Sequence, residues 1–345
     1  MIKVAINGYG RIGRIAHRVI LQSHQDAIDV VAINAGSSTD LEGWMYLLKY
    51  DSVYGPLDAQ ISTKPSPDGS AQEMLGYLVV GDKEIPVYSQ KDPALLPWAS
   101  LGVDVVIEST GHFTKTEDLK KHITAGAKKV VLSAPLKDDQ TKTIVLGVNT
   151  DTYAQEAVIS NASCTTNCIA PVAKIVHDHL GVEKAMMTTV HGYTSDQRLH
   201  DGGHKDYRRA RAAGLNIIPT STGATQAAAK AVPDLEGKFS GLSLRVPVPV
   251  GSLADCTFVV TKPTSVEEIN AIFEKEATSA IYNRILEVTR EPLVSSDIVG
   301  NPHSSIVDLS LTQVVGGTMV KIVAWYDNEF GYANRLVEEV RLLAS

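Results

Sequence analysis

A glycine triplet near the N-terminus constrains this chain more than any other feature. Gly8-Tyr9-Gly10-Arg11-Ile12-Gly13 has the spacing G-x-G-x-x-G. It follows an apolar run, residues 2–6, that reads as a strand, and it opens a segment, residues 11–24, with helical apolar spacing. Alone the triplet is a weak signal, but between a strand and a helix it specifies a dinucleotide site. One glycine allows the tight turn, one lets the backbone approach a pyrophosphate, and one lets the helix pack on its sheet. The helix N-terminus then offers N–H groups and a positive dipole end to the phosphates. Gly8, Gly10, Arg11, Ile12 and Gly13 are therefore candidate cofactor contacts; a glycine-rich turn without a ligand is the alternative, and the context weighs against it.

An NAD site of this kind usually carries an acidic residue about 20 positions on, bonding the adenosine ribose 2′-hydroxyl. Here the second strand, residues 29–34, ends in Asn34, and Ala35 follows, then Gly36, Ser37 and Ser38. The missing carboxylate removes a repulsion against a 2′-phosphate, and small hydroxyls can bond one. Asn34, Ala35 and Ser37 thus enter the candidate site, and the cofactor reads as NAD or NADP, with NADP accepted and even preferred. No arginine is evident nearby to pair a phosphate, so NAD held with a weaker ribose grip stays open.

The surrounding pattern fits such a site. Short buried runs at 103–108, 130–133 and 143–147 alternate with helical segments, which implies a doubly wound parallel sheet of the Rossmann type. Ser109, Thr110 and Ser133 stand at strand ends, where that architecture places ligands, although by position alone an ordinary turn is the better reading. After residue 160 the runs lengthen and become β-branched, at 186–191, 242–249, 257–261 and 314–326, the last broken by Gly316-Gly317. They imply an α+β domain with a large mixed or antiparallel sheet. The chain's 345 residues suit two domains. The expected division is a dinucleotide-binding domain over 1–162, joined by a C-terminal helix over 328–345, and a catalytic domain over 163–327. Residues 62–70, rich in Pro and Ser, read as a surface turn. A net charge of -7 speaks against nucleic acid as a partner. Three cysteines, no secretory pattern at the N-terminus and no long apolar stretch point to a cytoplasmic protein without membrane contact.

Ser163-Cys164-Thr165-Thr166-Asn167-Cys168 precedes a helical segment that runs to Leu180, with Gly181 as its stop. Pro171 inside it implies a kink or an irregular first turn. A cysteine at a helix N-terminus is biased toward thiolate, the nucleophilic form. Cys168, a turn later, reads as core. His191 ends the strand-like run 187–190 and could serve as the thiol's base. Spacing alone cannot bring it to Cys164. The pair His200 and His204 in a glycine-rich loop lacks further ligands, so no metal is expected. Lys205, Arg208, Arg209 and Arg211 form a basic run that reads as solvated surface, oligomer contact or anion site.

These motifs resemble the glyceraldehyde-3-phosphate dehydrogenases of the phosphorylating type. The residues carrying the resemblance are Ile6–Arg14, the stretch 163–168, Leu47-Leu48-Lys49-Tyr50-Asp51-Ser52, Thr189-Val190-His191-Gly192-Tyr193-Thr194, Ser221-Thr222-Gly223-Ala224 and Trp325-Tyr326-Asp327-Asn328-Glu329. They span nearly the whole chain in the family's order. The resemblance implies Cys164 as nucleophile and His191 as base. It implies Thr194 and Arg245 as holders of the substrate phosphate, and Ser163, Thr165, Thr222 and Gly223 as holders of attacking inorganic phosphate. Asn328 would bond the nicotinamide carboxamide, and Tyr332 would pack near the ring. The implied reaction oxidises D-glyceraldehyde 3-phosphate to 1,3-bisphosphoglycerate with NAD(P), through a hemithioacetal and a thioester on Cys164. That activity serves glycolysis or gluconeogenesis, and the implied assembly is a homotetramer.

Two positions depart from the NAD-type pattern. Ala35 replaces the ribose-binding aspartate, and Gly202-Gly203 replaces a leucine–proline pair that crowds the ribose of a neighbouring subunit. Both open space around the 2′ position. The rival readings are an erythrose-4-phosphate dehydrogenase and a catalytically silent RNA-binding scaffold; the intact anion-site blocks favour the triose enzyme over the first, and the complete catalytic set disfavours the second.

Overall fold

A computed structural model describes residues 1–67 and 73–345. It divides into two compact units. The first contains Met1–Thr143, Tyr153–Asn161 and Ala333–Ser345, and the second Ile144–Thr152 and Ala162–Tyr332. Compared with the expected division, residues 144–152 join the second unit, and the C-terminal segment of the first begins at Ala333.

The first unit opens with β1 (Ile2–Asn7), α1 (Arg11–Ser23) and β2 (Ile28–Asn34). It continues through α2 (Leu41–Lys49), the short pair β3 (Tyr50–Asp51) and β4 (Gly55–Pro56), then β5 (Ile61–Pro65), β6 (Met74–Val80) and β7 (Lys83–Tyr88). After α3 (Trp98–Leu101), β8 (Val105–Glu108) and α4 (Thr116–Thr124) come β9 (Lys129–Leu132), β10 (Lys142–Thr143) and β11 (Val158–Ser160). Among the described residues the main sheet runs β10-β11-β9-β8-β1-β2-β7-β6-β5. It is parallel from β10 to β7 and antiparallel at β6 and β5. This is the doubly wound parallel sheet expected, with an antiparallel edge. Every residue of β8 is buried, as a central strand covered on both faces requires. Ile15, Ala16, Val19 and Ile20 of α1 are buried at helical spacing.

Two expectations for this region change. Residues 62–65, read as part of a turn, belong to β5 at the sheet edge, where Pro65 costs no interior hydrogen bond; Asp68-Gly69, in the same reading, lies outside the described residues. The strand expected over 143–147 ends at Thr143, because Asn149 Oδ1 captures the Val145 N–H at 2.7 Å and Val148 N bonds back to Val145 O, closing a turn.

The second unit starts with α5 (Cys164–Leu180), β12 (Val182–Gly192), β13 (Ile218–Thr220), α6 (Ala224–Ala231), β14 (Phe239–Val246) and β15 (Ser252–Val260). Then come α7 (Val266–Ala277), β16 (Leu286–Thr289), β17 (Ser305–Asp308), β18 (Gln313–Val315) and β19 (Met319–Tyr326). Its sheet runs β13-β14-β12-β15-β19-β17-β16, with β18 paired to β19, and its pairings are mixed. β15 alternates buried and half-buried residues, so one face of this sheet meets the core and the other does not. The core gathers Ile169, Val172 and Val176 of α5 with Phe258, Val320 and Ile322. The closing helix α8 (Phe330–Leu343) spans the boundary, and Leu336, Val337, Val340 and Leu343 are buried as their spacing predicts.

Candidate active site

Cys164 is the first residue of α5. Ser163 caps that helix, its Oγ accepting the Thr166 N–H at 3.1 Å, and Ala162 before it takes the left-handed φ of 54°. Alanine rarely adopts that conformation, and it is held here by the Tyr332 hydroxyl donating to Ala162 O at 3.0 Å. The helix runs unbroken past Pro171 and stops at Gly181, whose φ is 68°. The cap and the left-handed residue together set the half-buried thiol at the helix N-terminus.

His191 lies near the end of β12 and brings Nε2 to 3.4 Å from Cys164 Sγ. Its Nδ1 lies 2.6 Å from Gly192 O and 2.8 Å from Arg245 Nη1. Arginine only donates, and a carbonyl only accepts, so the two contacts select opposite tautomers. With the proton on Nδ1, shared with Gly192 O, Nε2 presents a lone pair to the thiol. With Nδ1 accepting from Arg245, Nε2 carries the proton and faces the sulfur as donor.

Burial pushes His191 down to about 3 from 6.5, and the Arg245 cation adds to that. Burial also pushes the Cys164 thiol up, against Arg245 and the hydrogen bonds of Thr165, which pull it down. Before substrate binds, burial therefore opposes the thiolate bias expected from the helix dipole, and the uncharged pair of thiol and imidazole is favoured. Behind the pair, the Tyr326 hydroxyl lies 2.8 Å from both Thr165 Oγ1 and Thr189 Oγ1.

Asn328 is buried, and its Oδ1 accepts from Gly251 N at 3.2 Å and Ser252 Oγ at 2.8 Å. Its amide is thereby oriented, with the NH2 as the group left to meet an acceptor. Ser252 Oγ also receives the Gly192 N–H at 3.2 Å.

The remaining anion-site candidates differ in their engagement. Ser163 Oγ is occupied in its cap and Thr165 Oγ1 with Tyr326, so each can turn to a ligand only by sharing. Thr194 N donates to Gln197 Oε1 at 3.2 Å, Thr222 Oγ1 accepts from Ala224 N at 3.1 Å, and Gly223 begins α6 without a side-chain cap. Arg209 is the residue that the sequence did not single out. Its Nε donates to Thr220 Oγ1 at 2.8 Å, its Nη2 reaches Ser221 O at 3.5 Å, and its Nη1 pairs with Asp196. It ties the segment after Thr194 to the one before Thr222.

In the first unit, Gly8 has φ 95°, and a Cβ there would lie 2.5 Å from Thr110 N; a Cβ on Gly13 would lie 2.2 Å from Gly8 O. Only glycine fits either place. A Cβ on Gly10 meets nothing within 4 Å, so the turn faces open space. The N-terminus of α1 has no side-chain cap and no acidic residue in its first turn, which suits an anion. Ser109 Oγ donates to Gly8 O at 2.7 Å. The Arg11 guanidinium is taken by Asp51 at 2.7 Å, so Arg11 and Ile12 can serve a nucleotide through their backbone. The Asn34 side chain is engaged with Asn7 and Gln90, Ala35 N donates to Tyr88 O, and Ser37 is exposed beyond them. Ser133 N donates to Glu108 O at 2.9 Å. Among the described residues no cluster of potential metal ligands occurs, and no helix is long and apolar enough to cross a membrane.

Comparison with known proteins agrees with this geometry. Residues 2–116 match the family described as glyceraldehyde 3-phosphate dehydrogenase, NAD binding domain, and residues 163–328 match its C-terminal domain. The chain is 50% identical over 346 residues to a glyceraldehyde-3-phosphate dehydrogenase of Geobacillus stearothermophilus, covering 100% of this chain and 98% of the relative. It is 50% identical over 339 residues to glyceraldehyde-3-phosphate dehydrogenase 2 of Streptomyces avermitilis, covering 98% and 97%. With glyceraldehyde-3-phosphate dehydrogenase 1 of Bacillus subtilis it shares 49% identity over 345 residues, 99% and 98% of the two chains. A thiol and imidazole in contact at a helix N-terminus, a glycine-cradled dinucleotide turn and full-length likeness converge on one conclusion: the chain belongs to the glyceraldehyde-3-phosphate dehydrogenase family.

Proposed function

We propose that this chain catalyses the reversible oxidative phosphorylation of D-glyceraldehyde 3-phosphate to 1,3-bisphosphoglycerate. The observation that carries the proposal is the 3.4 Å contact between Cys164 Sγ and His191 Nε2 with Arg245 beside it. His191 in its Nδ1–H tautomer takes the thiol proton, Cys164 attacks the aldehyde carbon, and His191 returns that proton to the carbonyl oxygen, which becomes the hemithioacetal hydroxyl. The ring, neutral again, then takes the hydroxyl proton as the C–H bond breaks. Bound NAD(P) supplies the hydride acceptor. Asn328, its oxygen fixed by Gly251 and Ser252, would turn its NH2 to the nicotinamide carboxamide, and Tyr332 holds the segment of chain that enters Cys164. Inorganic phosphate then attacks the thioester, and Cys164 leaves as thiolate.

Arg245 and Thr194 hold the substrate phosphate in this reading. Arg209 joins Ser163, Thr165, Thr222 and Gly223 for the attacking phosphate. Ala35, the open space around Gly36 and the exposed Ser37 leave room for a 2′-phosphate, so NADP is used as well as NAD. Leu199, Tyr207, Leu215 and Ile217, exposed within one irregular segment, support assembly into a homotetramer. Three free thiols suit the cytoplasm, a reducing compartment.

The test is a set of initial rates with NAD and NADP side by side, using glyceraldehyde 3-phosphate and inorganic phosphate. Phosphate-dependent turnover supports the reaction. Turnover with NAD alone would leave the enzyme and overturn the NADP reading. No turnover with either, but turnover with erythrose 4-phosphate, would move the substrate; no turnover at all would favour a scaffold.

A further inference from the structure

The last residues of three neighbouring strands carry their polar side chains in one buried row. Asn7 is the register partner of both Asn34 and Glu108, and all three are buried. Asn34 Nδ2 donates to Asn7 Oδ1 at 2.6 Å, and Asn7 Nδ2 donates to Glu108 Oε2 at 2.5 Å. From the other side, Trp98 Nε1 donates to His122 Nδ1 at 3.0 Å. The neutral His122 ring must then carry its proton on Nε2, which lies 3.1 Å from Glu108 Oε2. Glu108 Oε1 accepts the Thr110 N–H at 2.8 Å and also the Thr110 hydroxyl. Four donors converge on one carboxyl group and fill its acceptor positions.

Each strand of the row leads straight into a segment of the glycine turn site: Asn7 into Gly8–Gly13, Asn34 into residues 35–38, and Glu108 into residues 109–111. Thr110 is the wall against which Gly8 turns, since a Cβ on Gly8 would lie 2.5 Å from Thr110 N. The carboxylate that clamps Thr110 therefore sets the gap between two of these loops.

We infer that Glu108, oriented by His122 and Trp98, is a positioning residue for dinucleotide binding that acts without touching the ligand. The inference rests on the reading of Gly8–Gly13 as the dinucleotide site. A glutamine at position 122 can still donate to Glu108 and accept from Trp98, whereas a leucine of similar bulk can do neither.

The experiment is calorimetric titration of the full chain with NAD and NADP. His122→Leu is expected to weaken binding about tenfold or more, because a buried carboxylate loses a donor and its clamp loosens. His122→Gln should stay within about threefold, keeping both bonds. Hydrogen exchange at the Thr110 amide should quicken in His122→Leu only, and alkylation of Cys164 by iodoacetamide should be unchanged in both. A His122→Leu protein that loses thermal stability yet binds both nucleotides as tightly as wild type would overturn the inference. If His122→Leu does not fold, Trp98→Phe, which frees the His122 tautomer, carries the same two outcomes. Gly10→Val separates the layers: its side chain enters open space and should abolish binding. Normal binding by Gly10→Val overturns the site reading itself, while weak binding there with normal binding in His122→Leu overturns only the row.

Discussion

His191 and Arg245 are register partners across β12 and β14, and the guanidinium of one lies 2.8 Å from the imidazole Nδ1 of the other. A cation in that place opposes imidazolium and supports thiolate on the neighbouring sulfur. Arg245→Leu should therefore move the pH profile of Cys164 alkylation to higher pH. It should also raise the KM for glyceraldehyde 3-phosphate roughly 10- to 100-fold, the size of a lost charged hydrogen bond. An alkylation profile that stays put would show that Arg245 does not tune the thiol.

Cys164→Ser is expected to keep its fold and its cofactor affinity while turnover falls to background, since a hydroxyl is far less readily ionised than a thiol. Stopped-flow hydride transfer measures this directly. Residual burst kinetics in the variant would place the nucleophile elsewhere.

Tyr326→Phe removes the hydroxyl shared by Thr165 and Thr189. Two buried hydroxyls lose a partner, so stability should fall by about 1–3 kcal/mol in denaturant titration. Because Thr165 adjoins Cys164, kcat should fall as well; a variant with both values unchanged would mean that water replaces the phenol.

Ala35→Asp places a carboxylate just past the end of β2. The ratio of NADP to NAD specificity, as kcat/KM, should drop about tenfold or more by charge repulsion and gain of a ribose bond. An unchanged ratio would separate cofactor choice from this position.

Burial lowers His17 to about 3 from 6.5, and its Nδ1 lies 2.6 Å from the Tyr9 hydroxyl. The unfolded chain binds a proton on this residue below pH 6.5 that the folded one refuses. Its contribution is complete above pH 6.5 and is lost as the pH falls toward 3, by up to ~1.4 kcal/mol per pH unit. His17→Gln keeps an acceptor for Tyr9 and cannot titrate. Denaturant midpoints at pH 7 and pH 4.5 should show the variant gaining on wild type at the lower pH; parallel curves would assign the acid sensitivity to other groups.

What could be read ahead of the structure was punctuated or periodic. The Gly8–Gly13 turn and α1 stand within a residue of expectation, because apolar spacing and glycines mark them. Ser163 and Gly181 likewise bracket α5. The strand expected after Thr143 failed because a side chain, Asn149, took a backbone donor, and nothing in local apolarity announces that. Arg209 was hidden among equals in a basic run; only its tethers to Asp196 and Thr220 distinguish it. The contact between Cys164 and His191, and the row from Asn34 to Glu108, depend on register between strands, which a single sequence does not display.

The backbone of Gly192 joins two side chains of the site. Its carbonyl meets His191 and Arg245, and its N–H holds Ser252, which in turn fixes Asn328. A change that moved this residue would disturb His191 and Asn328 at once. Neither can be adjusted alone by shifting the end of β12, whereas at a place such as position 35 a side chain can change while the backbone stays still.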